Sequence, residues 1–373
     1  MNNKEKDNNI KCLFLIPRMG NGGAERVLAT LANELSRRGY DIVILTLTSD
    51  ESFYKLDPAV KIIGAKFDVN QNNKVIRNFH MGINGMRAIF FINRYIRSWK
   101  PEIVLSFLTH TNILSLKVHL FNRRIPLVIS ERCEPNARNF LSRIITKYFY
   151  PMANTLVCQS KKVANFFPKY AQKKIKVIYN PINRESIPHA LPLVRRKVIV
   201  GVGRLFSQKN FSLLIESFND IKDEFPEYIL EIYGEGHLRD DLQTKIKNLG
   251  LHDRVFLMGI KKDVMKSVYD AQLFVLSSDF EGFPNALVEA MASGLPVIST
   301  DFSTGIAREF VKKENGIVVP VGDKSSMSNA IRRILYDNDM QKRMSQKNRT
   351  IMNKLSTRKI VDIWSRVFEE VLK

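Results

Sequence analysis

"LFVLSSDFEGFPNALVEAMASGLPVIST", Leu273 to Thr300, reads as a strand, a loop, a short helix and a second strand. Leu273–Leu276 is an apolar run too short for a helix. Pro284 and Asn285 form a helix entrance, and Gly294 with Pro296 closes the helix that "ALVEAMAS" starts. "PVIST" then supplies a second short apolar run. Runs of this kind, without polar alternation, belong to strands covered on both faces, so the stretch predicts two parallel strands joined by a helix.

The same rhythm extends in both directions. Upstream strand candidates are "CLFLI", "DIVILTL", "KIIGA", "EIVLSFL", "PLVIS", "TLVCQS" and "KVIY"; later come "VIVGVG", "YILEIYG", "RVFLMG" and "GIVVP", most of them followed by helix-period segments. Between "KVIY" and "KVIVGVG", Pro181, Pro188 and Pro192 interrupt regular structure, which predicts a hinge. The expected architecture is α/β: two Rossmann-like, doubly wound domains, 1–180 and 181–355, facing a central cleft. Residues 356–373 form an amphipathic helix expected to pack back on the first domain through Ile360, Ile363, Trp364, Val367 and Val371.

A chain of 373 residues suits two cores rather than one. Its formal charge of +21 predicts an anionic partner: nucleic acid, a phosphorylated ligand or an acidic membrane surface. Cys12, Cys133 and Cys158 are widely spaced with no CxxC, which argues against a disulfide framework or a zinc site and for a reducing, cytoplasmic setting. The polar start "MNNKEKDNN" does not read as a signal peptide, and no run of eighteen uninterrupted apolar residues occurs.

Three glycine-bearing turns follow strands. In "PRMGNGGAERVLATLANEL" (17–35), Gly20, Gly22 and Gly23 permit close backbone approach, and the helix behind them favours an anion; an ordinary turn using glycine for its φ angles reads the same way. The spacing is not GxGxxG, so a dinucleotide fingerprint is not supported. In "GVGRLFSQKNFSLLIESF" (201–218), Arg204 and Lys209 stand at a helix entrance, two cations suited to share a pyrophosphate. In "YGEGHLRDDLQ" (233–243), Gly234 and Gly236 are candidates for the wall beside a nucleotide base.

Glu281 and Glu289 bracket the loop–helix corner of the opening stretch. Glu289 sits about one turn into the helix, roughly 6 Å along its axis, with the loop adding separation. Glycosidase carboxylates must flank one bond at roughly 5–9.5 Å, so a hydrolytic dyad is rejected. A better fit is a phosphate at the amides of Phe283, Asn285, Ala286 and Leu287 around Pro284, with Glu281 and Glu289 each accepting from the hydroxyls of a different sugar.

Together, "NGGAER", "GVGRLFSQKN", "YGEGHLRDDL" and "EGFPNALVEAMASGLPVIST" resemble glycosyltransferase family 4, retaining enzymes of GT-B fold, over nearly the whole chain. The resemblance implies that Glu281 binds the transferred hexose, Glu289 the ribose, Arg204 and Lys209 the diphosphate, and Gly22 and Gly23 contact it through their backbone. It implies metal-independent catalysis with no cofactor; Asp240-Asp241 lies in a helical pattern and is no DxD motif. Where many members carry a histidine after the fifth strand, this chain reads "ISERCEPN", which resembles the branch extending lipid-linked oligosaccharides, and within it the bacterial N-acetylgalactosamine transferases. Glu131 and His110 are acceptor-side candidates, His110 being equally readable as a structural histidine.

"KVIRNFHMGINGMRAIFFINRYIRSWK" (74–100) has six Lys/Arg and no acid, with Arg87, Arg94 and Arg97 on one helical face beside Phe90 and Phe91. It suits an anionic membrane surface or an acceptor's diphosphate; a solvated helix is the plain alternative, and no nucleic-acid motif is present. The function expected is transfer of a hexose or N-acetylhexosamine from a nucleotide-sugar donor, UDP-GalNAc foremost, to an undecaprenyl-diphosphate-linked saccharide at the inner membrane face. A GDP-mannose enzyme, a phosphorylase or epimerase of the same fold, and a basic binding protein without catalysis are the competing readings.

Overall fold

A computed structural model describes residues 10–67, 74–135 and 138–373, with side chains in the helix Lys74–Trp99 described from 85 onward. The polar start and the side chains of Lys74 and Arg77 lie outside the described residues. The chain divides into two compact units, Met1–Pro181 with Arg358–Lys373, and Ile182–Thr357.

The first unit holds a seven-stranded parallel sheet in the order β3-β2-β1-β4-β5-β6-β7. Its strands are β1 (Lys11–Ile16), β2 (Asp41–Thr46), β3 (Lys61–Gly64), β4 (Ile103–Phe107), β5 (Leu127–Ser130), β6 (Thr155–Cys158) and β7 (Ile175–Val177). The second holds six parallel strands in the order β10-β9-β8-β11-β12-β13: β8 (Arg196–Val202), β9 (Ile229–Tyr233), β10 (Val255–Gly259), β11 (Ala271–Leu276), β12 (Val297–Thr300) and β13 (Gly316–Val319). Central strands are buried on both faces, as β4, β5, β6 and β12 are throughout, which is why they read as unbroken apolar runs. These are the two Rossmann-like sheets that the sequence predicts.

Each sheet reverses winding direction once, between β1 and β4 in the first and between β8 and β11 in the second. Loops leaving the carboxyl ends of such neighbouring strands splay to opposite faces and leave room for a ligand.

The helix Thr357–Leu372 completes the first unit's core. Trp364 is fully buried and stacks on Phe107 (centroids 6.3 Å apart), while Phe368 meets Phe14 at 6.4 Å. Its buried face is Ile360, Val361, Trp364, Val367 and Phe368; of the residues expected inside, Ile363 is exposed and Val371 half-buried, because the inward stripe runs through Val361 and Phe368 instead.

Candidate functional site

Arg204, Lys209 and Glu281 lie in loops at the carboxyl edge of the second sheet, and Glu289 lies in the helix that follows Glu281. β8 and β11 are neighbours, so the loop 203–210 lies beside the loop 277–284. Lys209 Nζ donates to Glu281 Oε1 at 2.5 Å, and Ser278 Oγ donates to the same oxygen at 2.7 Å. Glu281 is buried, so its charge is supported by these donors rather than by water. Gly203 makes the reach possible, since a Cβ there would come within 2.8 Å of Lys209 Cε.

The two loops are stitched together. Asn210, in the left-handed region (φ 45°), accepts from Leu213 N–H as the N-cap of the helix Phe211–Asn219, while its Nδ2 donates to Asp279 at 2.8 Å. Gln208 Nε2 donates to the Phe280 carbonyl (2.9 Å), Asp279 N–H to the Gln208 carbonyl (2.9 Å) and Ser277 Oγ to the Lys209 carbonyl (2.8 Å). Sequence reasoning missed Gln208, Asn210, Ser278 and Asp279; their position in the same two loops is the one signal that could have found them.

Arg204 is exposed, its guanidinium 4.8 Å from the Phe206 ring, with no ion pair among the described residues. Phe206 is braced by His237, 4.6 Å away, from the turn after β9. In that turn Gly234 (φ +145°) runs so close to β8's exit that a Cβ would overlap the Gly203 carbonyl oxygen.

The helix Asn285–Ala292 begins beside Glu281. Phe283 is buried and meets Phe310 at 5.9 Å; the first helical bond runs from Val288 N–H to the Pro284 carbonyl (3.2 Å). The amides of Ala286 and Leu287 precede it, while Asn285 N–H donates to the Phe283 carbonyl and Pro284 has no amide hydrogen. Glu289 is buried in the second turn. It is thus no solvated charge.

In the first unit, Gly22 caps the helix Gly23–Arg37, and Tyr54 OH pins this loop by donating to the carbonyls of Asn21 and Gly22 (3.0 and 3.2 Å). Glu25 turns its carboxylate back toward Gly22, so the helix start already carries an anion of its own. His110 is exposed in the first turn of the helix Thr109–His119, directly after Leu108, a bulky residue at φ 71° whose strain sits at the β1/β4 reversal.

Glu131, an acceptor-side candidate, lies in the loop after β5. It is 1% exposed, and its Oε1 accepts from Cys133 N–H (2.8 Å) and from Arg138 (2.6 Å), closing the loop after β5. Next to it, Arg132 lies 4.3 Å over the Phe107 ring and donates to Asn180; burial lowers its pKa to about 9 against the pull of Glu131. Arg87, Arg94 and Arg97 are exposed with Phe90, but Phe91 turns inward against Phe67 (6.2 Å) and leaves that face. No group of three or more His, Cys, Asp or Glu among the described residues is arranged to hold a metal, and no described helix is long and apolar enough to cross a membrane.

Residues 21–186 match the family described as Glycosyltransferase Family 4, and residues 183–351 match Glycosyl transferases group 1. A relative from Campylobacter jejuni, the N-acetylgalactosamine-N,N'-diacetylbacillosaminyl-diphospho-undecaprenol 4-alpha-N-acetylgalactosaminyltransferase, is 30% identical over 89% of this chain and 92% of its own length. A second from the same organism, the GalNAc-alpha-(1->4)-GalNAc-alpha-(1->3)-diNAcBac-PP-undecaprenol alpha-1,4-N-acetyl-D-galactosaminyltransferase, is 25% identical over 97% and 99%. Among solved structures, sucrose-phosphate synthase from Thermosynechococcus elongatus superposes with a TM-score of 0.81 at 16% identity, covering 97% of this chain and 99% of that one. Anabaena HepE in complex with UDP and glucose superposes at 0.75 and 18% identity, covering 97% and 100%. At these identities the structures establish the shared fold.

Proposed function

The chain belongs to the glycosyltransferases of family 4, and from that premise we propose that it moves N-acetylgalactosamine from UDP-GalNAc to an undecaprenyl-diphosphate-linked saccharide at the cytoplasmic membrane face. The observation that carries the donor half is the pair of half-buried Lys209 and buried Glu281, with the exposed Arg204 in the same loop as the lysine. A pair of cations next to a helix start suits a leaving diphosphate, and a buried carboxylate suits sugar hydroxyls. The acceptor half rests on the two Campylobacter relatives, whose names specify undecaprenol-linked acceptors.

In this reading Glu281 holds the transferred sugar and Glu289 the ribose, while Gly22, Gly23 and Gly234 let backbone approach the donor. Arg204, Lys209 and the amides of Ala286 and Leu287 stabilise the charge that develops as the bond from the anomeric carbon to the phosphate oxygen breaks. The acceptor oxygen bonds on the same face, and its proton passes to the departing phosphate. No metal takes part, so EDTA leaves the rate unchanged. Arg87, Arg94 and Arg97 meet the anionic membrane surface or the acceptor diphosphate. Glu131, fixed to Arg138, shapes the acceptor loop as a positioning residue.

A panel of UDP- and GDP-sugars with a lipid-linked acceptor tests the reading. UDP release with UDP-GalNAc and growth of the acceptor by one sugar are expected; no nucleotide diphosphate released with any donor sinks it.

A further inference from the structure

We propose that the helix Phe140–Phe149 is a bilayer-docking element, lying in the interface of an anionic membrane with its aromatic and aliphatic face in the lipid. This deepens the membrane contact proposed above and rests on that reading.

The helix is turned against the usual rule. In the whole helix only Thr146 is buried, tied to Arg138, while Phe140 is 76% exposed, Leu141 66% and Tyr148 51%. At about 100° per residue, Ser142 and Thr146 share the inward side, and Phe140, Leu141, Ile144 and Tyr148 share the outward one. A surface helix normally does the reverse. Arg143 and Lys147 flank the apolar arc on one side, the make-up of a helix that sinks its apolar face about 5–10 Å into a headgroup layer. The element is well anchored: Asn139 caps it by accepting from Ser142 N–H at 2.9 Å.

Charge selects the occupant. From Val69 to Arg184 the sequence holds twenty Lys/Arg against three acids, Glu102, Glu131 and Glu134, and the last two are buried. This segment therefore carries most of the +21 surplus. A second copy of the chain would bring the same positive field to the contact and be repelled. Nucleic acid would answer the charge and could stack on Phe140 and Tyr148, but it would leave Leu141, 66% exposed between them, in water. An anionic leaflet answers both the charge and the apolar arc.

The test is flotation of the full chain with phosphatidylglycerol-containing and pure phosphatidylcholine vesicles, with neither donor nor acceptor present, so sugar transfer plays no part in the result. We expect wild type to bind the anionic vesicles, and F140S/L141S, with an unchanged far-UV CD spectrum, to lose about tenfold or more in affinity. In F140W, brominated lipids should quench the added tryptophan beyond the wild-type level set by Trp99 and Trp364. Unchanged vesicle affinity in F140S/L141S, or an unquenched F140W, overturns the proposal. So does a wild-type dimer in sedimentation that F140S/L141S dissociates, since the face would then belong to a second copy.

Discussion

Lys209 and Glu281, 72 residues apart in sequence, meet at 2.5 Å with their side chains 14% and 7% exposed. The lysine that would share a diphosphate is thus held by the carboxylate that would hold the sugar. The two ends of the donor reading are one electrostatic unit.

Lys209→Ala should lower kcat/KM about 30- to 1000-fold, about 2–4 kcal/mol, as loss of a preorganised charge does. It should also lower Tm, because Glu281 is left buried without its cation. Adding Glu281→Gln should recover Tm and leave donor turnover lost. Recovery of both in the double variant would make the pair structural only.

Two glycines should answer alanine in opposite directions. Gly234→Ala places a Cβ onto the Gly203 carbonyl at a φ of +145° and should cost at least about 2 kcal/mol of stability. Gly85, in the helix Lys74–Trp99, has nothing within 4 Å of an added Cβ, so Gly85→Ala should stabilise by about 0.5–1 kcal/mol. Urea midpoints of the two variants decide both.

Trp364→Ala removes a fully buried ring that stacks on Phe107 and lies 5.9 Å from Arg132, and should cost about 3–5 kcal/mol. Hydrogen exchange should rise in β1, β4 and β5 and leave β8, β9 and β11 protected. Uniform loss of protection would contradict the separate cores.

Glu134 gives stability a pH dependence. Burial raises its carboxyl pKa above the ordinary 4.5, with Lys162 opposing. Between those values the folded chain binds the extra proton, so this contribution is present below pH 4.5 and is lost as pH rises through the folded value. Glu134→Gln should therefore gain Tm relative to wild type at pH 7 but not at pH 4.5. An equal difference at both pH values would refute the assignment.

Both sheets were legible because buried parallel strands must be apolar on both faces, so "CLFLI" or "PVIST" declares itself without context. Lys209 and Glu281 were legible as loop residues, but their contact was not, since it depends on β8 and β11 becoming neighbours after β9 and β10 have wound the other way. Periodicity announces an amphipathic segment without saying which face turns inward. It could not show that the apolar arc of Phe140–Phe149 faces outward, nor that Phe368 is buried while Ile363 is exposed. "SER" at 130–132 is equally silent about Arg138, seven positions beyond Glu131, which closes back on it.

The helix Thr357–Leu372 imposes an order of events during synthesis. Phe14 and Phe107 belong to strands made early, yet the rings that cover them, Phe368 and Trp364, are translated after the whole second unit, Ile182–Thr357. At about 5–20 residues per second the ribosome needs roughly 10–35 seconds to cross that unit. For that interval the nascent first sheet carries an uncovered aromatic seam, and the second unit, complete within one continuous stretch, is the part able to reach its native state first. The part of the chain made first thus carries an aromatic face that only the part made last can cover.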